Sequence, residues 1–245
     1  MRNYPNAPIV EAVIEFRLRF DNAPTVDALD RFCTGIADRF PTKVPVNVMA
    51  VQFAQQALDQ PPVHGNNSQI GFRLTSAGND RVAIIQQDSF IYSHLAPYSD
   101  WDTFSGELKS LWLKFSEALA PNAVVRVATR YINRIIVPHS RVELKDYFTI
   151  GPELPAAMAE HLSGFFVQLQ LPLTDLHAGA RSVINFSPQP SLPDTCAFVL
   201  DIDTFREDEF APASEEIWEF LNHLRLKKDE IFESSITDKT RDLFL

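Results

Sequence analysis

Two long segments of alternating apolar and polar residues constrain the fold more than any other feature of this chain. From Ile9 to Phe20, apolar side chains recur at every second position. The positions between them hold Glu11, Glu15, Arg17 and Arg19, with Val13 among them. A period of two over such a length is typical of a β-strand with one buried and one solvated face. The segment from Val124 to Val137 predicts a second long strand, which ends at Pro138.

Shorter elements surround these two strands. Helical spacing predicts amphipathic helices within 26–40, 100–119, 143–162 and 214–232. Thr25, either Ser99 or Asp100, and Ser214 are suitable N-caps for three of them. Further strands are predicted at 46–54, 70–75, 81–87, 90–95, 165–171, 181–187 and 197–202. The chain therefore belongs to the α+β class.

The second half of the chain repeats the element order of the first. Phe16 and Tyr131 are 115 positions apart, as are Asp88-Ser89-Phe90 and Asp203-Thr204-Phe205. Asn6-Ala7 and Asn122-Ala123 are 116 apart. This offset predicts tandem duplication of a β-α-β-β-β-α unit, with repeats at 1–120 and 121–245 that form two domains or one continuous domain. We expect one broad, mostly antiparallel sheet with helices on one face and the first strand of each repeat at its centre.

Such a sheet leaves an open face that carries the alternating charged residues. The candidate binding residues on that face are Glu11, Glu15, Arg17, Arg126, Arg130 and Arg134. Three interpretations stay open: a cross-strand ion-pair ladder, a floor that binds an anion or a peptide through arginine forks, and a catalytic base at Glu11 or Glu15. The last is the weakest, because adjacent arginines favour the ionised carboxylate and make it a poorer base.

Composition narrows the classes of function. The formal net charge of −10 repels nucleic acid and anionic lipid, so DNA or RNA binding would have to use a local stripe of Arg17, Arg19, Arg126, Arg130 and Arg134. The chain has only 8 glycines and lacks a phosphate-binding loop or a nucleophile elbow. None of the 6 histidines has the spacing of a local metal site. We therefore expect neither cofactor nor metal.

The N-terminal residues, the apolar runs and the cysteines indicate the cellular compartment. The N-terminal residues lack the apolar core of a signal peptide, and no apolar run reaches membrane-spanning length. The two cysteines, Cys33 and Cys196, lie in predicted secondary structure and are expected to be reduced. These features predict a cytoplasmic protein.

Three short motifs resemble a known family. They are Tyr4-Pro5-Asn6-Ala7-Pro8-Ile9-Val10-Glu11-Ala12, Arg130-Tyr131-Ile132-Asn133-Arg134 and the closing segment 224–237. Together they resemble a sporadically distributed bacterial family of about this length. That family has no assigned function, so the resemblance supplies no catalytic residues. Its patchy distribution implies an association with defence or mobile elements.

The leading functional hypothesis is a non-catalytic protein that binds a protein partner through the open sheet face. The alternative is an enzyme or a receptor for a small anion, with a pocket around Glu11, Arg130 and Arg134. A deep cavity lined by these side chains would favour the alternative, whereas a flat and filled sheet face would favour the interaction protein.

Overall fold

A computed structural model describes residues 4–50, 66–159 and 162–245, and these residues form one antiparallel sheet of nine strands. The strands are β1 (Ile9–Arg19), β2 (Thr42–Ala50), β3 (Asn66–Thr75), β4 (Arg81–Gln86), β5 (Ser89–Leu95), β6 (Ala123–Val137), β7 (Val167–Pro172), β8 (Ala180–Gln189) and β9 (Cys196–Phe210). The helices are α1 (Val26–Thr34), α2 (Trp101–Leu119), α3 (Leu144–Tyr147), α4 (Ala156–Ala159), α5 (Glu216–Ser235) and α6 (Asp238–Arg241). A short 3-10 turn, Asp242–Phe244, follows α6.

The two long alternating strands lie side by side at the centre of the sheet. The strand order is β2-β3-β4-β5-β1-β6-β9-β8-β7, and Ile14 of β1 faces Thr129 of β6. The α+β class, the single broad antiparallel sheet and the central pairing of β1 with β6 are thus confirmed. Within the described residues, the two halves of this sheet are hydrogen-bonded to each other through β1 and β6.

The long helices cover one face of the sheet because the apolar side of β1 needs burial. Ala12, Ile14, Phe16 and Leu18 are all buried in that core. The ring of Phe16 makes edge-to-face contacts with Trp112 of α2 at 4.8 Å and with Trp218 of α5 at 5.9 Å. Such aromatic pairs stabilise beyond the area that they bury. Helices from both halves therefore meet over the first strand.

The opposite side of the sheet, here called the polar face, carries the charged residues of β1, β6 and β9. It is not uniformly open. Over β4 and β5, Val82 and Ser93 are buried, although they lie in one cross-strand row with Val13 and Arg130. Over β6, Ile136 is 46% exposed. The accessible part of the polar face is therefore concentrated on the β6 side, and it is narrower than the sequence predicts.

Several predicted boundaries are wrong, for identifiable reasons. Helix α1 ends at Thr34, and tight turns carry the chain on to Phe40, which is still buried in the core. β2 begins at Thr42 and contains Pro45, which an edge strand tolerates. The prediction for 51–54 lies outside the described residues. β9 does not end near Ile202 but continues to Phe210.

The predicted repeat unit also needs correction. The described part of the first half contains five strands, as the individual strand predictions require, whereas the β-α-β-β-β-α unit has four; β2 is the additional strand at the outer edge. Phe16 faces Phe90, whereas its counterpart Tyr131 faces Ile202. The structural counterpart of Phe90 is therefore Ile202, which lies 112 residues later in the chain. Phe90 is in the core, but Phe205 lies on the polar face. The match between 88–90 and 203–205 is therefore not a structural equivalence.

The turn of the β3–β4 hairpin, residues 76–80, contains one residue in the left-handed region. Asn79 adopts a left-handed conformation with φ of 56°, which asparagine tolerates better than most residues. The helices of the described segments include none that is long and apolar enough to cross a membrane.

Candidate functional site

All six candidate residues lie on the polar face, in the central part of the sheet. Glu11, Glu15 and Arg17 project from β1, and Arg126, Arg130 and Arg134 project from the neighbouring β6. The common side follows from the period of two, because residues two apart in a strand point the same way. The sequence therefore placed these side chains together correctly, and the remaining question is which of them contact one another.

Glu15 bridges two arginines that face each other across the central strand pair. Arg17 and Arg126 are direct cross-strand partners, an arrangement that is unfavourable for like charges. The Glu15 carboxylate relieves it with one oxygen for each cation: Oε1 lies 2.5 Å from Arg17 Nε, and Oε2 accepts a hydrogen bond from Arg126 Nη1. The side chain of Glu15 is only 17% exposed, so solvent screens this bridge weakly.

Arg126 extends the network from β1 to β9. Its Nη2 donates to Asp203 Oδ2 at 2.8 Å, and its guanidinium lies 4.3 Å from the centre of the Phe205 ring. Burial raises the pKa of Asp203 above its ordinary value in spite of the nearby Arg126 charge, and the Glu15 carboxylate adds to the rise. Arg126 is thus held by two carboxylates and an aromatic face.

Arg130 is held by a two-pronged contact with Asp201. Its Nε and Nη2 donate to Asp201 Oδ1 and Oδ2 at 2.8 and 2.7 Å, the fork geometry that makes arginine–carboxylate pairs strong. Asn185 of β8 donates a third hydrogen bond to Asp201 at 3.1 Å. The hydrogen bond to Asp201 is also the main reason that the pKa of Arg130 is raised. Asp201 is therefore fully occupied within the sheet.

The remaining two candidates are outside this network. Glu11 makes no ion pair with any residue in the described parts of the chain, because the register sets it opposite Leu95 and Ile132. The side chain of Arg134 donates to the backbone carbonyl of Pro190, at 3.2 Å, and to no other group in the described segments. Of the two β1 carboxylates, Glu15 therefore pairs with a β6 arginine and Glu11 does not. The ladder runs from β1 across β6 to β9.

Sequence reasoning missed the two aspartates that complete this network. Asp201 and Asp203 are two positions apart, which signals a shared face in a strand, but the strand predicted at 197–202 ends before Asp203. The continuation of β9 sets Asp203 directly opposite Arg130 and Asp201 opposite Ile132. An alternating pair of acids facing alternating arginines was the available signal.

The network as a whole carries no excess of positive charge. Its members carry four negative and three positive charges: Glu15, Asp88, Asp201 and Asp203 against Arg17, Arg126 and Arg130. Such a surface offers little net attraction to an anion. Two cavities, of about 360 and 180 Å³, lie between helices on the other side of the sheet, and neither is lined by Glu11, Arg130 or Arg134.

A second polar network, which the sequence did not indicate, lies among the helices. Glu107 of α2 accepts hydrogen bonds from Arg81 Nε at 2.6 Å and from the Tyr92 hydroxyl at 2.7 Å. Burial alone would raise the pKa of Glu107, but these hydrogen bonds outweigh it and lower the pKa. Arg39 donates to the same Tyr92 hydroxyl at 3.0 Å. This network anchors α2 to β4 and β5.

Metal binding finds no support in residues 4–50, 66–159 and 162–245, where no three His, Cys, Asp or Glu side chains gather into a candidate site. Neither a scan against protein-family models nor a search of curated proteins found a match for the chain. The family resemblance therefore stays a hypothesis that rests on the three motifs.

The three motif segments meet in space. The Tyr4 hydroxyl donates to Glu233 at 2.8 Å, and its ring packs against Phe244. The backbone N–H of Arg134 donates to the carbonyl of Pro8 at 2.8 Å. Asn133 is buried and donates to the Leu200 carbonyl at 3.0 Å. Through these contacts the motif residues have structural roles, because they hold the N-terminal segment against α5 and against β6.

Two substitutions on β1 distinguish the stability contribution of the Glu15 bridge from that of a carboxylate without an ion pair on the same face. Glu15→Gln is expected to lower the free energy of unfolding by about 2 kcal/mol, because an uncharged amide leaves Arg17 and Arg126 facing each other. Glu11→Gln, on the same strand and face but without an ion pair, is expected to change it by less than about 0.5 kcal/mol. Urea denaturation at neutral pH measures both. Equal effects would show that the bridge does not stabilise the sheet.

Proposed function

We propose that this chain is a non-catalytic protein that binds a protein partner through the accessible part of the polar face. The observation that carries the proposal is the saturation of the charged groups there. Arg126 and Arg130 are each held by carboxylates from within the sheet, and Ile136, farther along the same face of β6, is 46% exposed. A face that combines fixed guanidiniums with exposed apolar groups is typical of protein interfaces, which are enriched in arginine and depleted in free acidic residues.

The arrangement argues against the alternative of an anion receptor or an enzyme. A receptor needs a cation with free donors in a recess, but Arg130 directs both Nε and Nη2 to Asp201. A general base needs a carboxylate that can take up a proton near neutral pH, and Glu15 is instead bound to two arginines. The cavities on the helix side supply no link to these residues.

We further propose that the sheet arose by duplication. The strand order is symmetrical about the β1–β6 pair, with β5, β4 and β3 on one side matched by β9, β8 and β7 on the other. Ile14 and Thr129 face each other and are 115 positions apart, the same offset as Phe16 and Tyr131. A two-fold axis between Ile14 and Thr129 would relate the halves. A cytoplasmic location and an association with defence or mobile elements remain part of the same proposal.

Photo-crosslinking in the native host tests the proposed interface. A chain with p-benzoylphenylalanine at Ile136 is expected to crosslink to one protein. The matched control carries the same group at Leu113, which is 59% exposed on α2, and is expected not to crosslink to that protein. The substitution Ile136→Glu should then abolish binding of the purified partner, with little effect on stability because the site is exposed. Crosslinking from Leu113 alone, or unchanged partner binding by Ile136→Glu, would reject the polar face as the interface.

A further inference from the structure

The larger cavity lies between α1 and α2, away from the polar face. Its volume is about 360 Å³. Three apolar side chains line it, those of Phe32, Ile36 and Leu119. Phe32 and Ile36 are buried and Leu119 is half-buried, so the floor of the cavity belongs to the hydrophobic core. The cavity is therefore an apolar recess that opens on the surface between two helices.

Small residues and an aromatic contact keep the recess open. Ala28 and Gly35 on the α1 side and Ala118 on the α2 side line it without filling it. On the core side of the recess, Phe32 makes an edge-to-face contact with Phe115 of α2, at 5.4 Å between ring centres. Because this pair joins the two helices beneath the recess, its shape is set by the core and needs no ligand to form.

Each wall of the recess contributes one cation. Arg31 of α1 and Lys114 of α2 both line the cavity and are both exposed. Within the described part of the chain, neither makes an ion pair or a side-chain hydrogen bond, whereas Lys109 on the same α2 helix is paired with Glu215 at 2.8 Å. Surface cations without partners are common singly, but here two of them line one apolar recess in a chain of net charge −10.

We propose that this recess binds a small aliphatic carboxylate, with its hydrocarbon chain on Phe32, Ile36 and Leu119 and its carboxylate between Arg31 and Lys114. The volume is at the small end of the range for ligand pockets, which begins at about 300 Å³. A partner helix, about 10 Å across, is too large for it. The apolar floor favours an alkyl chain, and the two cations select an anionic head group. This site is independent of the proposed protein interface.

Calorimetric titration of the purified chain with decanoate, below its critical micelle concentration, tests the site. Saturable binding at one site per chain is expected, and decanol should bind more weakly because it lacks the charge. Arg31→Gln and Lys114→Gln should each weaken decanoate binding about two- to fivefold, with little effect on decanol. Lys109→Gln, which removes one positive charge from α2 outside the recess, is the control and should leave the affinity unchanged.

Two substitutions that fill the recess check its location. Ala118→Phe is expected to weaken decanoate binding at least tenfold. Ala28→Leu, from the opposite helix, should do the same, so that misfolding of one variant leaves the other informative. Urea denaturation establishes which variants are folded. The proposal is overturned if decanoate does not bind saturably, if decanol binds as tightly, or if a folded filling variant binds decanoate as well as the native chain.

Discussion

Replacing Arg130 by methionine is expected to lower the free energy of unfolding by about 3 kcal/mol, because it leaves a buried carboxylate with one neutral partner. The side chain of Asp201 is only 7% exposed, and two of its three hydrogen bonds come from Arg130. After the substitution, the Asp201 carboxylate would keep only the hydrogen bond from Asn185. Methionine keeps the length of the arginine stem, so the loss reports the guanidinium rather than its packing.

The partner substitution is expected to cost less. Asp201→Asn removes the charge from the buried member of the pair, and the Arg130 side chain, which is 48% exposed, can turn toward water. We expect a loss of about 1–2 kcal/mol. In the double variant the two losses should not add, and a coupling of at least about 1 kcal/mol is expected. Urea denaturation of the four proteins at neutral pH gives all of these values.

Arg134→Met provides the control for this cycle. Arg134 lies on the same strand and the same face, but it donates only to a backbone carbonyl. We expect its replacement to change stability by less than about 0.5 kcal/mol. If Arg130→Met were equally harmless and yet abolished partner binding, the guanidinium of Arg130 would serve the partner instead of the sheet, and the ladder would be the wrong description of this face.

The central strand pair was predictable from the sequence because alternation is a local property. From Val10 onward every second residue of β1 is apolar, and in β6 Arg126, Arg130 and Arg134 all fall on one face, a pattern that a two-sided sheet satisfies. The same pattern assigned Tyr131 and Asn133 to the side opposite Arg130, and both are buried on the helix side of β6. The faces were thus determined by residues close together in the chain.

The ion-pair partners were not predictable in the same way. Whether Arg130 meets Glu11 or Asp201 depends on the register between strands and on which strand lies on the far side of β6. That neighbour, β9, is about 70 residues away in the chain. Its length was also underestimated, because Arg206 looks like the start of a charged loop. In the structure the Arg206 guanidinium lies 4.6 Å from the centre of the Phe210 ring and 4.8 Å from the centre of the Phe220 ring. These contacts favour an extended strand at this position.

The second large expected effect concerns the hairpin of β3 and β4, near the outer edge of the first half of the sheet. A methyl group on Gly71 of β3 would lie 2.0 Å from the carbonyl oxygen of Ile85 and 2.8 Å from the Cα of Gln86, and both are backbone atoms of β4. No side-chain rotation can relieve such a clash, so the two strands would have to separate. We therefore expect Gly71→Ala to lower the free energy of unfolding by about 3 kcal/mol, near the upper end for overpacking.

Gly106→Ala is the matched control and should have the opposite sign. Its methyl group would meet no atom within 4 Å, and it lies inside α2, where alanine is favoured over glycine by about 1 kcal/mol. Urea denaturation of both variants, with hydrogen exchange to locate the change, should show destabilisation and faster exchange in β3 and β4 only for Gly71→Ala. The β3–β4 pairing would need revision if Gly71→Ala were as stable as the native chain, because the close approach of the two backbones is what forbids a side chain at this position.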